Sequence, residues 1–133
     1  MDRILIVDDE FLIRYTLEEG LKDRGYDAYS AATVEEGLEF VRKYHPGVLL
    51  LDNLLENSVG MDEIVNFKNA DEELQVIMMT AYGSVSQAVE ATKRGAYDYI
   101  LKPFDTQMVL SRIRTAVNEE SAQNHVINTV YEN

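Results

Sequence analysis

Arg3-Ile4-Leu5-Ile6-Val7 runs directly into Asp8-Asp9-Glu10. After Arg3 the run is wholly apolar, the mark of a strand buried on both faces, and such strands belong to parallel sheets covered by helices. The three acids end the strand and open a helix, in which Leu17 and Leu21 recur at helical spacing until Gly25 stops it. The same switch repeats down the chain. A short strand is expected at about Asp27 to Ala31, then a helix capped by Thr33 with Glu36 three residues on, a capping box. Leu38, Val41 and Tyr44 form its buried face, and Pro46-Gly47 end it. Val48-Leu49-Leu50-Leu51-Asp52 is the third strand. It is followed by a loop from Asn53 to Gly60 and a short helix near Asp62 to Asn69. Gln75 to Thr80 is the fourth strand. The next helix starts at Ser84, carries Val85, Ala88, Val89 and Thr92 on one face, and ends at Gly95. Tyr97 to Leu101 is the fifth strand, and Lys102-Pro103-Phe104-Asp105 leads into a last helix that Asp105 is placed to cap.

Alternating strands and helices with short connections predict an α/β domain with helices on both faces of a parallel sheet. Right-handed crossovers make it doubly wound. Ligands in such folds bind at the carboxyl ends of the strands, near the switch in strand order. The polar residues at those ends are Asp8 and Asp9, Asp52, Thr80 and Lys102, so all of them gather at one edge of the sheet.

Composition narrows the function. The chain has 133 residues, 46% of them hydrophobic, which suits one folded domain with one core. With no cysteine, disulfides, thiolate nucleophiles and Cys-based metal sites are excluded. No apolar run approaches the ~18 residues of a membrane span, and no signal peptide is visible; the cytoplasm is the expected compartment. A formal net charge of -12 repels phosphate backbones, so direct nucleic-acid binding by this segment is not expected. His45 and His125 have no partner at metal or triad spacing and read as surface residues.

Three carboxylates at one sheet edge repel one another unless they share a hard divalent cation such as Mg²⁺. Asp52 is then placed to act as a nucleophile toward phosphorus, forming an aspartyl phosphate. Lys102 suits a phosphoryl oxygen as a point charge, and Thr80 can donate its hydroxyl to another. Phosphoryl transfer needs mainly positioning and electrostatics, which this set offers. Each residue has a plainer reading. Asp8 and Asp9 suit a helix N-terminus, Asp52 a turn, Lys102 solvent, Thr80 a strand, and Tyr99 a core. It is their joint placement that favours chemistry.

Five pieces occur in order: Ile6-Val7-Asp8-Asp9-Glu10; Leu51-Asp52 with Gly60 eight residues on; Met79-Thr80-Ala81; Gly95-Ala96-Tyr97-Asp98-Tyr99; and Lys102-Pro103-Phe104. Together they closely resemble the receiver domains of two-component response regulators, over about residues 2 to 118. The run from Gly95 to Asp105 is most similar to NtrC-type, sigma-54-dependent activators. The resemblance implies a flavodoxin-like (βα)5 fold with strand order 2-1-3-4-5. It implies a switch phosphorylated at Asp52 by a histidine kinase with Mg²⁺, promoting its own phosphorylation and dephosphorylation rather than acting as a classical enzyme. It implies that Asp9 and Asp52 ligate Mg²⁺ directly, Asp8 through water, and Leu54 by its backbone carbonyl. It further implies that Thr80 and Lys102 hold the phosphoryl group, that Tyr99 is an aromatic switch, and that the Lys102-Pro103 peptide is cis. Leu54 and Tyr82 would flank the path of the hydrolytic water, and being apolar and bulky they point to a slowly decaying phosphoaspartate. The pattern is broken after Asp52, where an apolar residue and, further on, a proline are usual; here Asn53 and Glu56 stand. Loss of the proline predicts a looser loop, with added negative charge.

Two rivals share the ingredients. An aspartyl-phosphate phosphatase wants a second aspartate two residues after the nucleophile, where Leu54 stands. A flavodoxin wants a phosphate-binding loop after the first strand, where Asp8-Asp9-Glu10 would repel a flavin phosphate. Residues 1–118 are read as the receiver and 119–133 as a helical extension toward an output domain, by resemblance an AAA+ ATPase with a DNA-binding domain. From Val109 the last helix buries Ile113, Ala116 and Val117, and the register continues through Glu120, Gln123, Ile127 and Val130. This is heptad spacing, weakened by two polar positions, and points to a homodimer partly built on the extension.

Overall fold

The computed structural model describes residues 2–81 and 83–118. Expectations for Tyr82, for His125 and for the extension 119–133 lie outside the described residues. The elements are β1 Arg3–Val7, α1 Phe11–Asp23, β2 Asp27–Ala31, α2 Val34–Tyr44, β3 Val48–Asp52, β4 Leu54–Leu55, β5 Ser58–Val59, α3 Gly60–Ala70, β6 Gln75–Thr80, α4 Val85–Lys93, β7 Asp98–Leu101 and α5 Thr106–Val117.

The five long strands form one parallel sheet in the order β2-β1-β3-β6-β7. Counted without the two short strands this is 2-1-3-4-5, the expected order, and it reverses beside β1. Alternation along each strand sends side chains to two cores. Leu5, Val7, Leu49, Leu51, Val76 and Met78 pack with Val41, Ile64 and Phe67 from α2 and α3. Ile4, Ile6, Val48, Leu50, Ile77 and Met79 pack with Leu17 and Leu21 of α1 and with Val109, Ile113 and Ala116 of α5. The central strands are thus apolar on both faces because both are covered.

The caps read from sequence are in place. Thr33 accepts the Glu36 amide at 3.2 Å, Ser84 that of Gln87 at 3.2 Å, and Asp105 that of Gln107 at 2.9 Å. Gly25 and Gly95, which follow α1 and α4, have positive φ. His45 is exposed, and it also takes a left-handed conformation to end α2.

Three details differ from the sequence reading. The segment from Asn53 to Gly60 is not an open loop: β4 and β5 pair antiparallel, turning at Glu56-Asn57. The apolar face read for α4 is not buried; Val85 and Val89 face solvent, and Ala91 is the buried residue. Tyr44 is exposed, its ring tilted against that of Phe40 rather than buried in the core.

Candidate functional site

Each sheet strand ends where its backbone can no longer pair, and the last residue projects beyond the core. β1 delivers Asp8, β3 Asp52, β6 Thr80, and Lys102 follows β7. Because these strands are parallel neighbours around the reversal of order, the four residues converge, as the sequence predicts. Asp8, Asp52 and Thr80 are all buried.

Lys102 ties the set together. Its Nζ lies 2.9 Å from Asp8 Oδ2 and 3.2 Å from Asp52 Oδ1. Burial pulls the lysine toward neutrality, but the hydrogen bond and charge of Asp8, then those of Asp52, outweigh it and leave its pKa raised. The other oxygen of Asp8 accepts the Glu10 amide at 2.9 Å. Arg14 Nη1 donates to the Asp8 carbonyl at 2.7 Å, which fixes the turn into α1. The peptide between Lys102 and Pro103 is cis.

Asp52 is held in its neutral form more than an ordinary aspartate. Burial first, and then the charge of Asp8, push its pKa from 3.8 to about 6, against the pull of Lys102 and a hydrogen bond from the Leu54 amide. Two carboxylates with one ammonium carry excess negative charge at a largely buried position.

Asp8, Asp9 and Glu10 bring their carboxylate oxygens within 4.8 Å of one another. Sequence reasoning did not single out Glu10, which stands three residues past the end of β1. Asp9 and Glu10 are exposed, so the cluster opens to solvent. An all-oxygen donor set beside the charge-rich Asp52 suits a hard divalent cation. Asp8 is already bonded to Lys102 and to the Glu10 amide and Asp52 to Lys102, so the exposed Asp9 is the carboxylate of the three freer to take an ion.

Thr80 and Tyr99 form the link away from the edge. The Tyr99 hydroxyl is hydrogen-bonded to Thr80 and donates to Gln87 Oε1 on α4 at 3.2 Å. Burial raises the phenol's pKa and the Thr80 bond partly offsets this. Tyr99 packs against the core at its margin, where rotation is cheapest.

The segment after Asp52 is fastened rather than loose. Asn53 Oδ1 accepts the Met61 amide at 3.0 Å, and the Asn53 carbonyl accepts the Gly60 amide at 2.7 Å. An apolar residue at 53 has no group for the first of these bonds. Leu54 is half exposed, two residues after Asp52.

A model of the response regulator receiver domain matches residues 4–114. The chain is 36% identical over 118 residues to sporulation initiation phosphotransferase F of Bacillus subtilis (strain 168), spanning 89% of this chain and 92% of that protein. It is 32% identical over 126 residues to regulatory protein AtoC of Escherichia coli (strain K12), spanning 95% of this chain but only 27% of AtoC. Among solved structures, the beryllofluoride-activated NtrC4 receiver domain dimer aligns with a TM-score of 0.85 at 34% identity, over 90% of this chain and 98% of that one.

Proposed function

The chain belongs to the response regulator receiver domain family of two-component signalling, and from that premise we propose that Asp52 takes a phosphoryl group from a histidine kinase and passes its effect to an output domain. The observation that carries this reading is the Asp52 carboxylate, buried at the sheet edge with Lys102 Nζ 3.2 Å away. An Asp52 carboxylate oxygen attacks phosphorus in line with the donor's P–N or P–O bond. That bond breaks as the new O–P bond forms, and the leaving group departs with the electron pair. Lys102 exchanges its contact with the carboxylates for one with a phosphoryl oxygen, and Thr80 donates to another. Mg²⁺, held by Asp9, Asp52 and the Leu54 carbonyl with Asp8 behind a water, would offset the charge of the incoming group. Proximity alone lets small phosphodonors serve, so the domain promotes its own phosphorylation.

Incubation with Mg²⁺ and acetyl phosphate should add one phosphoryl group by mass, and Asp52→Asn should add none. Full labelling of Asp52→Asn would overturn the assignment. Leu54 offers no hydrogen bond to an attacking water, so the phosphoaspartate should decay slowly, and Leu54→Asn with Tyr82→Glu should speed the decay.

The likeness to AtoC and NtrC4 favours an NtrC-type regulator acting in the cytoplasm, with an AAA+ ATPase and DNA-binding output. No helix among the described residues is long and apolar enough to cross a membrane. The NtrC4 receiver is a dimer, and with the heptad register of 119–133 this supports a phosphorylation-sensitive homodimer. Sedimentation of the full chain against one ending at Glu119 tests it: monomers in both, phosphorylated or not, would overturn it.

A further inference from the structure

The residue beside the acceptor makes bonds on three sides. Asn53 is buried. Its N–H donates to the Met79 carbonyl of β6 at 2.8 Å. Its carbonyl accepts the Gly60 amide at 2.7 Å, and its Oδ1 accepts the Met61 amide at 3.0 Å. A helix needs outside acceptors for its first amides. The N-cap residue of α3 is Val59, which makes no side-chain cap bond. Asn53 fills that role from eight residues upstream, across the β4-β5 hairpin. The first turn of α3 is held on its other side by Arg94, which donates to the Met61 carbonyl at 3.3 Å and pairs with Asp62 at 2.9 Å.

Asp52 is built into the same clamp. A Cβ on Gly60 would lie 2.2 Å from the Asp52 carbonyl oxygen, so strand end and helix start touch backbone to backbone. On the far side, the Leu54 amide bonds to the Asp52 carboxylate. Asn53 stands between these two contacts, and its side chain adds a second bond to the backbone bond that already ties this strand end to α3.

We propose that Asn53 is a positioning residue for phosphorylation of Asp52. Its side-chain oxygen fastens the acceptor's backbone to the first turn of α3, which holds the Asp52 carboxylate and the Leu54 carbonyl in the pose that phosphoryl transfer and cation binding need. The inference rests on Asp52 being the acceptor. An apolar side chain of equal size removes the acceptor of the Met61 amide. The turn then frays toward water, and residues 52 to 54 gain freedom that the reaction must again remove.

The test compares wild type with Asn53→Leu and Asn53→Asp, well below their unfolding temperatures. Three quantities are read: the rate of phosphorylation by acetyl phosphate, the Mg²⁺ dissociation constant without phosphodonor, and hydrogen exchange at the Met61 amide. Asn53→Leu should lose Met61 protection, bind Mg²⁺ more weakly, and react about tenfold or more slowly. Asn53→Asp keeps an acceptor oxygen and should recover Met61 protection, with a rate above that of Asn53→Leu but below wild type because its charge adds to the repulsion at Asp52. Should Asn53→Leu not fold, Asn53→Ala gives the same comparison. A variant that loses Met61 protection yet keeps wild-type rate and Mg²⁺ affinity would make Asn53 a helix cap only and overturn the proposal. Labelling of Asp52→Asn would instead sink the acceptor reading, and the Met61 exchange would still report the clamp.

Discussion

Lys102 Nζ sits 2.9 Å from Asp8 Oδ2 and only then, at 3.2 Å, reaches Asp52. The ammonium therefore serves two buried carboxylates at once. Removing it leaves both without a counter-charge, a loss that costs about 3 kcal/mol where partners are buried. Lys102→Met should be destabilised by that order in urea at pH 7 with chelator present. Adding Asp8→Asn should recover much of the loss, since one ionised carboxylate then remains. Lys102→Met as stable as wild type would mean that the three groups are solvated and the ion pairs add nothing.

The raised pKa of Asp52 has a pH signature of definite sign. The folded protein holds this proton more tightly than the unfolded chain, so the stabilisation is complete below pH 3.8 and is lost as pH climbs through about 6. Asparagine at 52 cannot lose it. Without Mg²⁺, the stability of Asp52→Asn relative to wild type should grow between pH 4 and pH 7, to about 3 kcal/mol. Paired urea titrations across that range measure it; a difference flat with pH would mean an ordinary aspartate.

Long-range order was legible wherever a strand is apolar on both faces. β1, β3 and β6 have the bounds read from sequence because nothing local competes with burial there. The polar edge followed from those bounds, since each strand's last residue must point out of the core. What remained hidden depends on partners distant in sequence. Asn53 reads as a polar intrusion until Met61 is seen to lack another cap. The β4-β5 hairpin has two-residue strands, too short to show alternation. The face of α4 looked like core by spacing, yet Val85 is 83% exposed, because periodicity marks a face without saying what covers it.

Gly60 has no conformational excuse, as its φ is not positive; what it needs is space. The obstructing atoms belong to the backbone of Asp52 and Asn53, which cannot rotate aside as a side chain can. Gly60→Ala should therefore cost about 2 kcal/mol or more, the scale of overpacking. Because relief means pushing β3 and α3 apart, the phosphorylation rate should fall as well. Denaturant unfolding and acetyl phosphate labelling of the same sample check both effects, and a stable, fully reactive Gly60→Ala would show that the contact relaxes freely.

The Tyr99 hydroxyl joins Thr80, at the site, to Gln87 on α4. If Thr80 turns its hydroxyl to a phosphoryl oxygen, its bond to Tyr99 breaks, and the phenol's remaining anchor is on α4. Any inward rotation of the ring then releases Gln87 too, so a charge change at Asp52 would reach the exposed Val85 and Val89 face through one side chain. Tyr99→Phe keeps the ring and removes both bonds. Its stability should drop by only about 1 kcal/mol, since the group is partly solvated. Phosphorylation of Asp52 should be nearly unchanged, because Tyr99 touches no reacting atom. The difference should lie in the response. In wild type, beryllofluoride with Mg²⁺ should alter hydrogen exchange across Val85–Lys93, and in Tyr99→Phe that alteration should be largely absent. An identical response in the two proteins would show that α4 is informed by another route, with the Asn53–Met61–Arg94 chain of contacts the first to test.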